Sequence, residues 1–179
     1  AACVHAALDS GADKVLVVSV LHAFTAEMEQ ARRNVAAGGD PSLERHWGVQ
    51  GPGLDGLQNW RTDHVLISWR HFWEAEVKRR GLENPPEVIE RFPYLAGGHP
   101  EKLPGIEEIQ EIAKDAVIVS TADAFHHGIG YGDAPEDSFD HDEEGLAKAQ
   151  AVLDSQVWQF VTFAPNADVM SRDGLHEAA

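Results

Sequence analysis

The stretch that most constrains the fold is KVLVVSVL, residues 14–21, an unbroken apolar and largely β-branched run. A strand covered on both faces has this composition, because neither face has to carry polar side chains for solvent. A second run of the same kind, AVIVSTA, occupies residues 116–122. Helix-like segments precede the two runs, at residues 1–10 and 105–115. This alternation predicts an α/β fold with a mostly parallel sheet flanked by helices.

Hydrophobic periodicity, capping residues and turn residues predict the other elements. Thr25 is a suitable N-cap, and Gly81 is a suitable helix terminator. We expect helices over 25–37 and 143–155, a segment 63–81 that begins β-like and becomes helical, a strand over 157–165, a long loop from 38 to about 62, and an irregular connection over 84–104, which holds five prolines.

Length and charge limit the classes of function. The 179 residues, 43% of them hydrophobic, suit a single domain over residues 1–179. The chain opens within a helix-like stretch and without Met, so we expect further residues before Ala1. Thirty acidic against 14 basic residues give a net charge of −16, which argues against nucleic-acid binding.

A single cysteine, Cys3, precludes an internal disulfide and a thiolate zinc site within the chain. We therefore expect a reducing, cytoplasmic setting. No stretch has the roughly 20 apolar residues of a membrane helix, and the first residues do not resemble a signal peptide. The expected partner is a small-molecule substrate, and a homo-oligomer is left open.

Histidines and an aspartate follow the two predicted strands. In open α/β sheets ligands bind beyond the carboxyl ends of the strands, so His22 and the pair Asp123 and His126 are candidate site residues. His64, next to Asp63, is a third candidate position. Neutral imidazoles bind Fe, Zn and Cu. The alternative for His22 is a strand-end histidine that hydrogen-bonds a backbone carbonyl.

The segment STADAFHHGIGYG, residues 120–132, allows two interpretations. Asp123 could orient His126 and raise its basicity, which makes His126 a general acid or base. Alternatively, Asp123 caps a turn that His126 and His127 merely line. The spacing of the glycines is not a dinucleotide-binding fingerprint.

Two other patterns favour structural interpretations. The acidic run DSFDHDEEG, residues 137–145, is more typical of a solvated turn before a helix than of a cation site. Four tryptophans between residues 47 and 73 favour core packing over an aromatic pocket.

Three segments together resemble the Memo-like proteins of the class III extradiol dioxygenase superfamily. They are AACVHAALDSGADKVLVVSVLHA, TDHVLISWRHF and VIVSTADAFHHGIGY, which span residues 1 to about 132. The resemblance implies the class III extradiol dioxygenase-like α/β fold. It also implies His22 and His64 as metal ligands, with Asp123, His126 and Gly128 in the third motif.

In members with dioxygenase activity, two histidines and a glutamate hold Fe(II), and a separate histidine is the acid or base of ring opening. The resemblance gives that role to His126. The third ligand has no counterpart in a motif; Glu177 or Asp168 could supply it, and a residue outside the present sequence is the alternative. We expect a metal-dependent oxygenase, with Fe(II) as the first choice and Zn or Cu as alternatives, acting on a small phenolic substrate. The other interpretations are a Memo-like metal-binding or redox protein without ring cleavage, and a non-catalytic partner subunit.

Overall fold

The structure is a computed structural model that describes residues 1–21, 25–96, 99–121, 127–129 and 133–162. Leu153 and residues 155–162 are described by their backbone alone. The chain divides into two compact units, Ala1–Ala122 and Asp123–Ala178. Among the described residues, none of the helices combines the length and apolar composition needed to cross a membrane.

The first unit alternates helices and strands. Its elements are α1 (Ala2–Asp9), β1 (Lys14–Ser19), α2 (Ala26–Ala36), β2 (Gly48–Gln50), α3 (Val65–Arg80), β3 (Glu87–Tyr94), α4 (Ile106–Ala113) and β4 (Val117–Thr121). Short 3₁₀ turns lie at Pro41–Leu43, Asn59–Thr62 and Pro100–Lys102. The second unit contains a 3₁₀ turn at Pro135–Asp137 and α5 (Glu143–Thr162).

The four strands form one sheet in the order β2-β3-β1-β4. The central strand β1 pairs in parallel with β3 and with β4, so that Val15 lies opposite Val88 on one side and Val117 on the other. The outer strand β2 pairs antiparallel with β3. The α/β prediction is confirmed, and the sheet is mixed, with three mutually parallel strands.

The main hydrophobic cluster of the first unit lies on one face of this sheet, and Leu16 is buried on the opposite face. Val15 and Val17 point to this face, because alternate residues of a strand lie on the same side, and both are fully buried. Helix α3 covers this face with Leu66, Trp69 and Trp73, whose spacing of three and four residues places them on one side of the helix. The tryptophans at 69 and 73 therefore pack in the core, as the sequence suggested.

Local signals set the ends of several helices as predicted. Thr25 caps α2, and its hydroxyl accepts a hydrogen bond from the Met28 amide at 3.3 Å. Gly81 ends α3 in the left-handed conformation with φ 65°, which a residue with a Cβ adopts at a cost. The predicted helices at 1–10 and 105–115 and the strands at 14–21 and 116–122 are confirmed with slightly shorter bounds.

The prediction of an irregular connection over 84–104 is wrong, because β3 runs through it. Residues 87–91 pair with β1, and this pairing stops before Pro93. From Phe92 onward β3 pairs with β2 alone, so Pro93 lies where one edge of the strand needs no amide donor. The predicted loop over 38–62 likewise contains a short strand, β2, which forms only because β3 lies beside it.

Two further predictions need correction. The β-like run expected from Asp63 is absent, since α3 begins at Val65 with its amide bound to the Asp63 side chain. The strand expected over 157–165 is helical as far as Thr162, where the description of the chain ends. No glycine or proline occurs between Leu146 and Thr162, so nothing local interrupts the helix over these residues.

Candidate functional site

The carboxyl ends of β1 and β4 meet at one edge of the sheet. Ser19 and Thr121 are the last residues of the two strands, and they lie opposite each other in the parallel register. Their side-chain hydroxyl oxygens are 2.7 Å apart, and Ser19 is buried. This hydrogen bond joins the two strands at the edge where an open α/β sheet binds ligands.

Helix α3 begins at the same edge. Its last residue, Arg80, lies beside the end of α1, with 2.6 Å between its Nη1 atom and Asp9 Oδ1, and the following turn leads to the first residue of β3. The helix therefore ends at the amino edge of the sheet. Its 16 residues span about 24 Å, and the six-residue β1 spans about 20 Å. The start of α3 consequently lies at the carboxyl edge.

Asp63 and His64 immediately precede α3, and they differ in their exposure to solvent. Asp63 is fully buried, and its Oδ1 atom accepts a hydrogen bond from the Val65 amide at 3.0 Å. His64 is exposed and immediately precedes the helix. The buried carboxylate is engaged with the backbone, whereas the imidazole faces solvent at the carboxyl edge. Of the two, His64 is the side chain that is accessible to solvent.

The other predicted site residues, His22, Asp123 and His126, lie outside the described residues, as do Asp168 and Glu177. His64 is thus the one predicted ligand whose place is described. Within the described ranges, no group of three His, Cys, Asp or Glu side chains could hold a metal ion. The acidic run near residue 140 agrees with its structural interpretation, since Asp142 Oδ1 accepts the Gly145 amide at 2.8 Å.

A partly buried ion pair supports this end of α3, and sequence reasoning missed it. The Arg70 guanidinium donates to both carboxylate oxygens of Glu90 on β3, at 2.8 and 2.6 Å. The hydrogen bond to Glu90 raises the pKa of Arg70, and the charge of Asp63 contributes in the same direction. The signal in the sequence was the pair Glu90 and Arg91 within the otherwise apolar run from Val88 to Tyr94, since buried charges require partners.

Tryptophan side chains make aromatic contacts on α3 and β3, the two elements that the ion pair joins. Trp60 stacks on Phe92 with 6.4 Å between ring centroids, and Trp69 stacks on Trp73 at 5.6 Å. Trp47 donates its indole N–H to the Leu95 carbonyl at 3.0 Å. The tryptophan-rich segment thus packs against β3 and the chain that follows it.

In the second unit, His127 has a structural role that the sequence left open. Its Nδ1 atom lies 2.8 Å from Asp133 Oδ2, and its Nε2 atom accepts the Phe139 amide at 3.0 Å. The same Asp133 oxygen accepts the Gly128 amide at 2.7 Å, and Gly128 has a φ of 102°. With Nε2 accepting, the proton of the neutral ring is on Nδ1 and is donated to Asp133.

The ring of His127 also packs on Phe139, with 3.9 Å between centroids. Both ring nitrogens are therefore engaged in holding the loop together. This geometry favours an architectural role for His127 over proton transfer to a ligand. Asp133, the carboxylate on which the loop depends, was not among the residues singled out in the sequence.

The chain matches no protein-family model, and comparisons with curated proteins and with solved structures found no match.

Proposed function

We propose that this chain is a divalent-metal protein whose metal site lies at the carboxyl edge of the sheet, with His22 and His64 as ligands. We further propose that it has a class III extradiol dioxygenase-like fold and acts as a non-haem Fe(II) oxygenase on a small phenolic or catechol-like substrate. Zn²⁺ and Cu are the alternative metals.

The observation that carries the proposal is the shared edge at which β1 and α3 meet. His22 follows Ser19 by three residues, and three residues of chain span at most about 11 Å. His64 precedes α3 at the same edge with its side chain exposed. Both imidazoles thus belong to segments attached to one border of the sheet.

The donor chemistry fits this assignment. A neutral imidazole binds Fe, Zn and Cu, and the His64 side chain is accessible to solvent. Asp63 would support the site indirectly. Its Oδ1 atom accepts a hydrogen bond from the Val65 amide, and this bond fixes the backbone on both sides of His64. When bound, Fe(II) would supply open positions for a chelating phenolic substrate and O₂.

Asp123 and His126 complete the proposal as the acid and base residues. They follow Thr121, the last residue of β4, by two and five positions. The His126 imidazole would accept the proton of a substrate hydroxyl, and the Asp123 carboxylate would orient the ring and stabilise its charged form. A Memo-like protein without turnover would share the ligands, whereas a non-catalytic partner subunit would bind no metal.

The first test is metal content after anaerobic purification. We expect about one Fe per chain, lost in a His22→Ala/His64→Ala variant. His71→Ala is the matched control, because it removes an exposed imidazole from the same helix as His64. Equal metal content in all three proteins would overturn the ligand assignment.

The second test is O₂ consumption with catechol as the probe. Turnover that depends on Fe(II) and is lost in His126→Ala with metal content intact would support the oxygenase. A metal-loaded protein that consumes no O₂ with catechol or related phenols would contradict ring cleavage and leave the metal-binding role.

A further inference from the structure

The second unit carries an open groove of about 960 Å³ between the loop that starts at His127 and the first turns of α5. Two large aliphatic side chains line it while remaining largely in water: Ile129 is 64% exposed and Leu146 is 71% exposed. Phe139 and Ala149 extend the apolar lining between them. Apolar side chains grouped in one concave surface are typical of a docking site rather than of scattered surface residues.

The wall that carries Phe139 is held in place before any partner arrives. The Phe139 amide is bound to His127 Nε2, and the Phe139 ring packs on the imidazole. Asp133 in turn fixes His127 and the Gly128 amide. A surface that is already ordered loses little conformational entropy on binding, so this groove is suited to recognition.

The rim of the groove is strongly acidic. Asp140 and Asp142 line it, and residues 136–144 together contain six carboxylates, all on exposed residues. Lys148 lies near them, 2.9 Å from Glu144, and its pKa is raised first by that hydrogen bond and further by the charges of Asp140 and Asp142. The local field therefore favours cations.

We propose that this groove docks a cationic amphipathic segment of a partner protein. An apolar side chain of the segment lies between Ile129 and Leu146, and its flanking Lys or Arg residues face the carboxylates of the rim. The combination of an apolar floor and one sign of charge around it specifies both features of the partner.

The negative charge of the chain argues against other occupants of the groove. A second copy of this chain carries the same net charge of −16 and would bring the same acidic rim against the groove. An anionic lipid surface and a nucleic acid are repelled for the same reason. A cationic segment is attracted by both the rim and the whole chain.

The probe is a fluorescein-labelled peptide of about 14 residues whose leucines and lysines are spaced so that they lie on opposite faces of a helix. Titration with the full chain, followed by fluorescence anisotropy, should give saturable 1:1 binding. The variant Ile129→Ser/Leu146→Ser should bind about tenfold or more weakly, since two apolar contacts are lost. Leu43→Ser is the matched control, because Leu43 is 83% exposed in the first unit and should leave the affinity unchanged.

A charge variant tests the rim. Asp140→Asn/Glu143→Gln should weaken binding several-fold and reduce its salt dependence, whereas Glu107→Gln/Glu111→Gln on α4 makes the same change in net charge and should have little effect. Both pairs of residues are exposed, and circular dichroism would verify that each variant is folded.

Three results would overturn the proposal. One is the absence of saturable binding. Another is an equal loss of affinity in the rim and α4 variants, which would show attraction by net charge alone. The third is a dimer in sedimentation experiments that Leu146→Ser abolishes, which would give the groove to a second copy.

Discussion

Glu90 of β3 and Arg70 of α3 form a two-point ion pair across the main core, with N···O distances of 2.8 and 2.6 Å. The Glu90 side chain is 11% exposed and the Arg70 side chain 30% exposed. Glu90 lies opposite Val17 in the parallel register, on the face that α3 covers. The pair joins α3, which begins directly after His64, to the centre of the sheet.

Removing one member of this pair should destabilise the protein strongly. Arg70→Met leaves Glu90 with a poorly solvated charge, and we expect a loss of about 2–4 kcal/mol in the free energy of unfolding, reduced by the partial exposure of Arg70. The double variant Arg70→Met/Glu90→Leu should recover most of this loss. Urea denaturation measures both.

The control for this pair is Arg45→Met, since Arg45 and Glu27 form an exposed pair at 3.7 Å. Its effect should stay within about 1 kcal/mol. A double variant no more stable than Arg70→Met would show that the loss comes from packing rather than from an unpaired carboxylate.

Asp63 should act mainly as a helix cap. Asp63→Ala removes the acceptor for the Val65 amide and should cost about 1–2 kcal/mol of unfolding free energy. Asp63→Asn keeps an acceptor of the same shape and should cost clearly less. Asp115→Ala, at an exposed site, is the control. Equal losses for the Asn and Ala variants would mean that the charge of Asp63 matters more than its cap.

Acid should remove the stabilisation provided by Glu76, which links α1 and α3. Hydrogen bonds from Arg79 and then Arg80 lower its pKa from 4.5 to about 2. Since the folded-state pKa is the lower one, the stabilisation is present above pH 4.5 and is lost as the pH falls towards 2.

Glu76→Gln should therefore lower the Tm at pH 7, and the difference from the unsubstituted protein should shrink between pH 4.5 and 2. Glu111→Gln, which disrupts the exposed pair with Lys114, is the control. A difference in Tm that stays constant over this pH range would exclude the linkage.

High pH should destabilise the protein by ionising the Tyr94 hydroxyl. Burial raises the pKa of its hydroxyl from 10.0 to about 12, and the hydroxyl donates to the Met28 carbonyl at 3.4 Å. The neutral phenol stabilises the fold fully below pH 10, and this contribution is lost as the pH rises through 12. Tyr94→Phe should therefore gain stability relative to the unsubstituted protein above pH 10.

Phenolate absorbance checks the assignment, because the chain has two tyrosines. Tyr131→Phe leaves Tyr94 as the one remaining phenol, which should ionise near pH 12 or on unfolding. Ionisation of that phenol near pH 10 in the folded protein would contradict the effect of burial.

The elements whose signals are local could be predicted from the order of the amino acids. The apolar run from Lys14 and the one ending at Thr121 are strands because continuous β-branched residues favour the extended conformation, although β1 alone is buried on both faces and β4 leaves Ile118 exposed. Thr25 and Gly81 fixed helix ends, since a cap and a left-handed terminator act on neighbouring residues. The α/β class followed from the alternation of such elements.

Features that depend on partners distant in the chain could not be predicted from local signals. β3 exists among prolines because β1 and β2 supply its hydrogen bonds, and Ser19 meets Thr121 because β1 lies between β3 and β4. The ion pair of Arg70 with Glu90 likewise depends on where α3 crosses the sheet. A pattern of residues encodes which segments can pair, whereas the free energy of the whole core selects which of them do.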